Sequence, residues 1–219
     1  MDKKLESFKK LANLFESNGY HLYLVGGSVR DYLLNIPLTD MDVVTDATPE
    51  QESKFLNGGD FTFAKYGSIK HLFDDVKFDI TTFRKENDYS DSRHPNEVVF
   101  TKKIEEDVLR RDITINALYM EKSGKIIDLI GGLHDLEHKI IRIIGNPDKR
   151  FKEDSLRIIR LLRFKVDLGF ELEEETLKSM KSNSNLTQLL NKDKVNQEIK
   201  KCHHQSELVL LLQTFGIKD

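Results

Sequence analysis

A mixed α/β head followed by a smaller all-helical part, an α+β fold overall, is predicted by three observations. Short apolar runs alternate with helical patterns over roughly the first 138 residues. From about Asp135 the spacing of apolar residues is helical to the end. No internal repeat or low-complexity stretch interrupts either part. Two domains follow, residues 1–138 and 139–219, the first a mixed sheet flanked by helices.

Element by element, MDKKLESFKKLANLF places Leu5, Phe8, Leu11 (or Ala12) and Phe15 on one helical face. HLYLVGG reads as a strand ending in glycines, and SVRDYLL as a helix with Ser28 as its cap. Asp40–Thr45 is a second strand, and Thr48-Pro49-Glu50 opens another helix. The stretch 61–83 holds strands broken at Gly67 and at the Asp74-Asp75 turn. Residues 84–97, RKENDYSDSRHPNE, are polar and turn-rich, which predicts a mobile loop. Glu105 to Met120 reads as a helix leading into a strand, and the pair Gly131-Gly132 follows. Glu153 to Val166 carries the clearest helical pattern in the chain.

With 219 residues the chain can bury a core. It has no apolar run near the ~20 residues of a membrane span, and its first helix lacks the pattern of a signal peptide. Cys202 is the one cysteine, so no disulfide forms within the chain, and a reducing cytoplasm is expected. Adjacent helical positions diverge by about 100°, so Cys202-His203-His204 reads as surface rather than a metal site. A net charge of −3 requires any nucleic-acid contact to come from local basic patches, such as Arg150 to Lys165.

Chemistry first appears at Asp40 and Asp42. Two apart in a strand, both carboxylates project to one side, with Met41 turned away. Mg²⁺ favours a few hard carboxylate oxygens completed by substrate phosphates, and a shared pair could hold two ions about 3.5–4 Å apart. A solvated strand end also produces D-x-D. Just upstream, GGSVRD supplies Gly26 and Gly27 for close backbone approach, N–H groups near Ser28, and Arg30 as a donor fork for phosphate. Neither a Rossmann fingerprint nor a P-loop is present.

The combination LVGGSVRDYLLNIPLTDMDVVT resembles the signature of the class II tRNA nucleotidyltransferase and bacterial poly(A) polymerase family, within the DNA polymerase β-like superfamily. FDITTFRKE, RRDITINAL, DLIGGLHDL and RFKEDSLRIIRLLRF extend the likeness from about Leu22 to Phe170. It implies a nucleotidyltransferase head and a helical neck that reads the nucleotide base. It further implies CTP and ATP as substrates, a tRNA 3′ end as partner, Mg²⁺ as cofactor and addition of CCA.

Residue by residue, the resemblance assigns Gly27 and Arg30 to the triphosphate and Asp40 and Asp42 to the metal. Asp79 is a third acid, or else a lone strand aspartate. Arg111 and Asp112 contact the nucleotide and Asn116 its ribose. Asp154 and Arg157, three apart on a helix, offer an acceptor beside a donor. That pattern complements the amino and ring-nitrogen edge of cytosine or adenine and mismatches guanine and uracil. In the family this is a protein template; otherwise it is an i,i+3 surface pair. Arg160 and Arg163 continue the ridge, holding nucleotide phosphates or RNA backbone generally.

Arg84, Glu86 and Arg93 mark a loop like the one that CCA-adding enzymes use to switch from C to A. Asp128, Gly132 and Asp135 mark a hinge between head and neck. Of the family's later E-R-x-x-x-E helix, only a positive charge and Glu198 persist. The body and tail domains of the family are absent from these 219 residues. Rival readings are a CC-adding, A-adding or poly(A)-adding relative, and a noncatalytic RNA- or nucleotide-binding module of the same fold.

Overall fold

The computed structural model describes residues 3–89 and 95–217, with side chains outside 86–97. Backbone contacts divide the chain into two compact units. One comprises residues 1–86, 98–111 and 115–132, and the other 87–97, 112–114 and 133–219.

The first unit is built on a six-stranded mixed sheet. Helix α1 (Lys3–Ser17) buries Phe8, Leu11, Ala12 and Phe15, the stripe its sequence spacing predicts. Strand β1 (Leu22–Val25) leads through Gly26 into α2 (Gly27–Leu33). Strand β2 (Asp42–Thr45) follows, then α3 (Pro49–Glu52), closed by a reciprocal cap between Thr48 and Gln51. A 3₁₀ turn at Ala64–Tyr66 precedes the hairpin β3 (Ser68–Phe73) and β4 (Val76–Thr82). Its corner residues Asp74 and Asp75 take φ of 52° and 60°, values suited to a tight two-residue turn.

Among the described residues, strands β5 (Arg84–Tyr89) and β6 (Pro95–Phe100) pair only with each other. The expected mobile loop over 84–97 is therefore corrected on its flanks, which are strands. Ladder bonds satisfy a backbone whatever the polarity of its side chains. Arg93, and the side chain of Glu86, lie outside the described residues. Helix α4 (Ile104–Arg110) and strands β7 (Tyr119–Met120) and β8 (Ile126–Ile127) complete the first unit.

The sheet is mixed because β2 and β4 run parallel while β1–β2, β3–β4, β1–β7 and β7–β8 are antiparallel. Along β4, Val76, Phe78, Ile80 and Thr82 are buried and Lys77 and Asp79 exposed. One face thus carries the core, and the other is open at Asp79.

In the second unit, α5 (Gly132–Glu137) is followed by β9 (Ile140–Ile141), α6 (Pro147–Glu153) and α7 (Leu156–Leu168). Strand β10 (Glu171–Leu172), α8 (Glu174–Ser182), a 3₁₀ segment Ser184–Leu189, α9 (Lys192–Lys201) and α10 (Gln205–Thr214) complete it. The neck is not all-helical, since β9 and β10 form a parallel pair. The expected single helix over 153–166 is also two. Asp154 leaves helical geometry (φ −150°, ψ 99°), and its carboxylate accepts the Leu156 N–H at 3.0 Å. This is the local side-chain bond by which aspartate competes with a helix ladder.

Candidate active site

The sequence around Gly26 forces a sharp entry into α2. Gly26 has φ +70°, and a Cβ there would stand 3.6 Å from Oδ2 of Asp42. Glycine keeps the backbone beside that carboxylate without a side chain in the way. Ser28 does not cap the helix as its position suggests. Its hydroxyl donates to the Asp40 carbonyl and accepts the Asp42 N–H, both at 3.0 Å. One serine thus fastens the start of α2 to the segment carrying both acids, a signal hidden in the spacing of GGS and D-x-D.

Strand β2 starts at Asp42, so Asp40 and Met41 precede it. Alternation still reaches back, with Asp40 exposed, Met41 buried and Asp42 partly buried. Asp42 and Asp79 are register partners in the parallel pair β2–β4, and Asp79 N–H donates to the Met41 carbonyl at 3.0 Å. Paired residues share a face, so the two carboxylates stand side by side, and Lys70, across β3–β4, reaches Asp79 at 3.9 Å. Burial pushes the Asp42 carboxyl up to about 6, and Asp79 and Asp40 push the same way. Arg111 and Arg30 pull it down less strongly.

Two arginines border these acids. Arg30 donates from Nη1 to Asn116 Oδ1 at 2.7 Å and from Nε to Asp31 at 2.8 Å, which brings together two predicted nucleotide contacts. Arg111 grips Asp107 through Nε (3.1 Å) and Nη2 (2.9 Å), and its Nε also donates to the Tyr119 hydroxyl at 2.9 Å. Burial works to raise the Asp107 carboxyl, but Arg111 and Arg110 outweigh it and hold it at about 2. Sequence reading missed Asp107 and Tyr119. The i,i+4 spacing of Asp107 and Arg111 was the available signal.

Most of the remaining predicted residues belong to the second unit. Asp112 accepts from Arg160 Nε at 3.0 Å and Nη2, and its carbonyl accepts the Ile144 N–H. Burial opposes ionisation of Asp112, yet Arg160 holds it near about 2. Arg163 donates to Glu198 at 3.0 Å, and Lys201 reaches the same buried carboxylate at 2.7 Å. Asp154 and Arg157 do not share one helix face. They flank the α6–α7 break, and Arg157, buried, donates to the Arg150 carbonyl at 2.7 Å and to Glu153 at 3.3 Å. Asp135 accepts from Thr114 at 2.7 Å and from Arg142 at 3.0 Å. Asp128, in the first unit, accepts the Gly132 N–H at 2.9 Å.

Residues 22–142 match the family model described as the poly A polymerase head domain. The chain belongs to the poly A polymerase head-domain family. Among its relatives is a CCA-adding enzyme of Ligilactobacillus salivarius, 42% identical over 196 residues, which cover 88% of this chain and 48% of the relative. The chain thus spans about half the length of the curated relatives it matches. The crystal structure of Bacillus stearothermophilus CCA-adding enzyme in complex with CTP superposes with a TM-score of 0.87 at 32% identity. That match covers 97% of this chain and 52% of the other. A tRNA nucleotidyltransferase complexed with a primer tRNA and an incoming ATP analog gives 0.78 at 30% identity, covering 94% and 60%.

Proposed function

We propose that this chain transfers nucleotides from CTP and ATP to the 3′ end of a tRNA, completing CCA without a nucleic-acid template. The observation that carries this reading is the register pairing of Asp42 with Asp79, with Asp40 two residues upstream, beside the Gly26 turn and Arg30. Support comes from the relatives named as CCA-adding enzymes and from neighbours solved with CTP and with primer tRNA plus an ATP analog.

In this reading the 3′ hydroxyl oxygen bonds to the α-phosphorus of the nucleotide, the hydroxyl proton leaves, and the bond to pyrophosphate breaks. The chain's part is positioning. Ser28 fixes Asp40 and Asp42, and the Gly26 backbone leaves room above Asp42. Arg30 and Arg111 supply positive charge, and Asn116 is placed toward a ribose through Arg30. Asp112 contacts the nucleotide, Arg160 and Arg163 support it and its phosphates, and Asp154 and Arg157 present acceptor and donor to a base edge. The template pair would act across the α6–α7 break, with Asp154 already sharing one lone pair with Leu156 N–H.

The donor set fits Mg²⁺. Asp42 is held in an unfavourable charge state by burial and, after that, by its acidic neighbours, a burden that a divalent cation would relieve. Among the described residues, no three acid, imidazole or thiolate groups converge to enclose an ion by themselves. Asp40 and Asp42, with Asp79 beside them, would hold the ion. When bound it would acidify the attacking hydroxyl and neutralise the leaving pyrophosphate. No helix among the described residues is long and apolar enough to cross a membrane, and a cytoplasmic setting is part of this proposal.

The deciding experiment incubates the chain with a tRNA transcript lacking its CCA end, offers labelled CTP, ATP, UTP and GTP singly and together, and sequences the products. CCA addition supports the reading. Addition of CC alone, A alone or poly(A) redirects it within the family, and no addition under any condition sinks it.

A further inference from the structure

The 3₁₀ turn at Ala64–Tyr66 carries two rings that the core does not use: Phe63 is 53% exposed and Tyr66 47%. Phe63 caps the turn and Tyr66 ends it, three residues apart, close to the spacing at which side chains of such a turn eclipse. The turn itself is firmly held. The Phe63 carbonyl accepts the Tyr66 and Ser68 N–H groups, and the Arg84 guanidinium donates to the Tyr66 carbonyl. Gly67 closes it at φ +77°, where a Cβ would come within 2.8 Å of the Phe100 ring. Lys65 Nζ lies 4.8 Å from the Tyr66 ring centroid. Two aromatic rings therefore stand on a rigid, cationic ledge.

The ledge continues directly into β3. Ser68 pairs with Thr81 and Lys70 with Asp79. Asp79 lies three residues from Thr82, the β4 residue packed under Gly67, roughly 10 Å along the strand. A strand whose terminal hydroxyl lies at the acids would have its preceding bases near these rings.

We propose that Phe63 and Tyr66 form a stacking platform for the unpaired bases of an RNA 3′ end, with Lys65 and Arg84 facing its phosphates. This rests on the nucleotidyltransferase reading given above. Every base has a π face, so the platform would tolerate either C or A beneath the growing end.

The test uses the full chain and a single-stranded RNA ending in CC, with 2-aminopurine next to its last base. Binding should quench the probe. Phe63→Leu and Tyr66→Leu should each weaken binding about ten-fold and diminish the quench, while Tyr66→Phe retains both. The rings are exposed, so these variants keep the fold, and CTP affinity, measured separately, should not move. Leucine variants that bind and quench like the parent would overturn the platform, as would an equal loss on blunt duplex RNA. A parent chain that neither binds CTP nor transfers it, yet shows ring-dependent quenching, would remove the nucleotidyltransferase reading and leave the platform standing.

Discussion

Asp42 and Asp79 face each other as register partners on adjacent parallel strands, although 37 positions separate them in the chain. Burial, with repulsion from Asp79 and Asp40 added to it, drives the Asp42 carboxyl up to about 6. Such a pair is costly to fold and useful only when something positive arrives. Asp42→Ala or Asp40→Ala should therefore abolish nucleotide transfer while CTP binding stays within a few-fold of the parent. Unchanged turnover in single-turnover assays would remove the metal role from these residues.

Asp107 and Arg111 supply the next case. Asp107 is fully buried, and it accepts from Arg110, Arg111 and Tyr119. Asp107→Asn leaves two arginines without their counter-charge, which should cost about 3–5 kcal/mol in chemical denaturation. Tyr119→Phe removes single hydrogen bonds and should cost about 1 kcal/mol. If Arg111 serves the nucleotide, Tyr119→Phe should raise KM for CTP more than it lowers kcat. A stability change with unaltered KM and kcat would make the cluster purely structural.

Where the sequence succeeded, the governing physics was local. Thr48-Pro49 made a cap, Asp74-Asp75 made a tight turn, and the α1 stripe announced its own buried face. D-x-D beside GGSVRD stood close to the observed cluster because a strand and a turn place neighbours predictably. What escaped were pairings across long separations. The β9–β10 pair joins Ile141 to Leu172, and β5–β6 builds a ribbon from residues whose polarity suggested a loop. The break at Asp154 escaped for the opposite reason. Apolar periodicity continues on either side, while one carboxylate–amide bond ends the helix between.

Glu52 sets the stability of the first unit against pH. It is almost wholly buried, one carboxylate oxygen has no partner among the described residues, and burial drives it up to about 8 against an ordinary 4.5. The folded chain therefore keeps this proton between about pH 5 and 8, while the unfolded chain releases it. Stability contributed by this group falls as pH rises through that window. Glu52→Gln, neutral throughout, should match the parent near pH 5 and exceed its melting temperature increasingly toward pH 8. Parallel melting curves for the two proteins across that range would show that Glu52 is ionised in the fold.

Asp154 offers the sharpest test of base selection, because it can be altered without unpacking a helix. Arg157 is tied to the Arg150 carbonyl and to Glu153, so Arg157→Ala loosens the α6–α7 junction as well as any base contact. Asp154 is only partly buried and holds the Leu156 N–H, a bond that asparagine can keep. Asp154→Asn replaces one acceptor with a donor. Facing cytosine or adenine, that donor meets an amino group; facing uracil or guanine, it meets a carbonyl. Each mismatch costs about 1–3 kcal/mol, so preference for CTP over UTP should fall by roughly ten-fold or more. Competition assays with paired labelled nucleotides measure this directly. A variant that discriminates against UTP and GTP as strongly as the parent would mean that the base is read elsewhere.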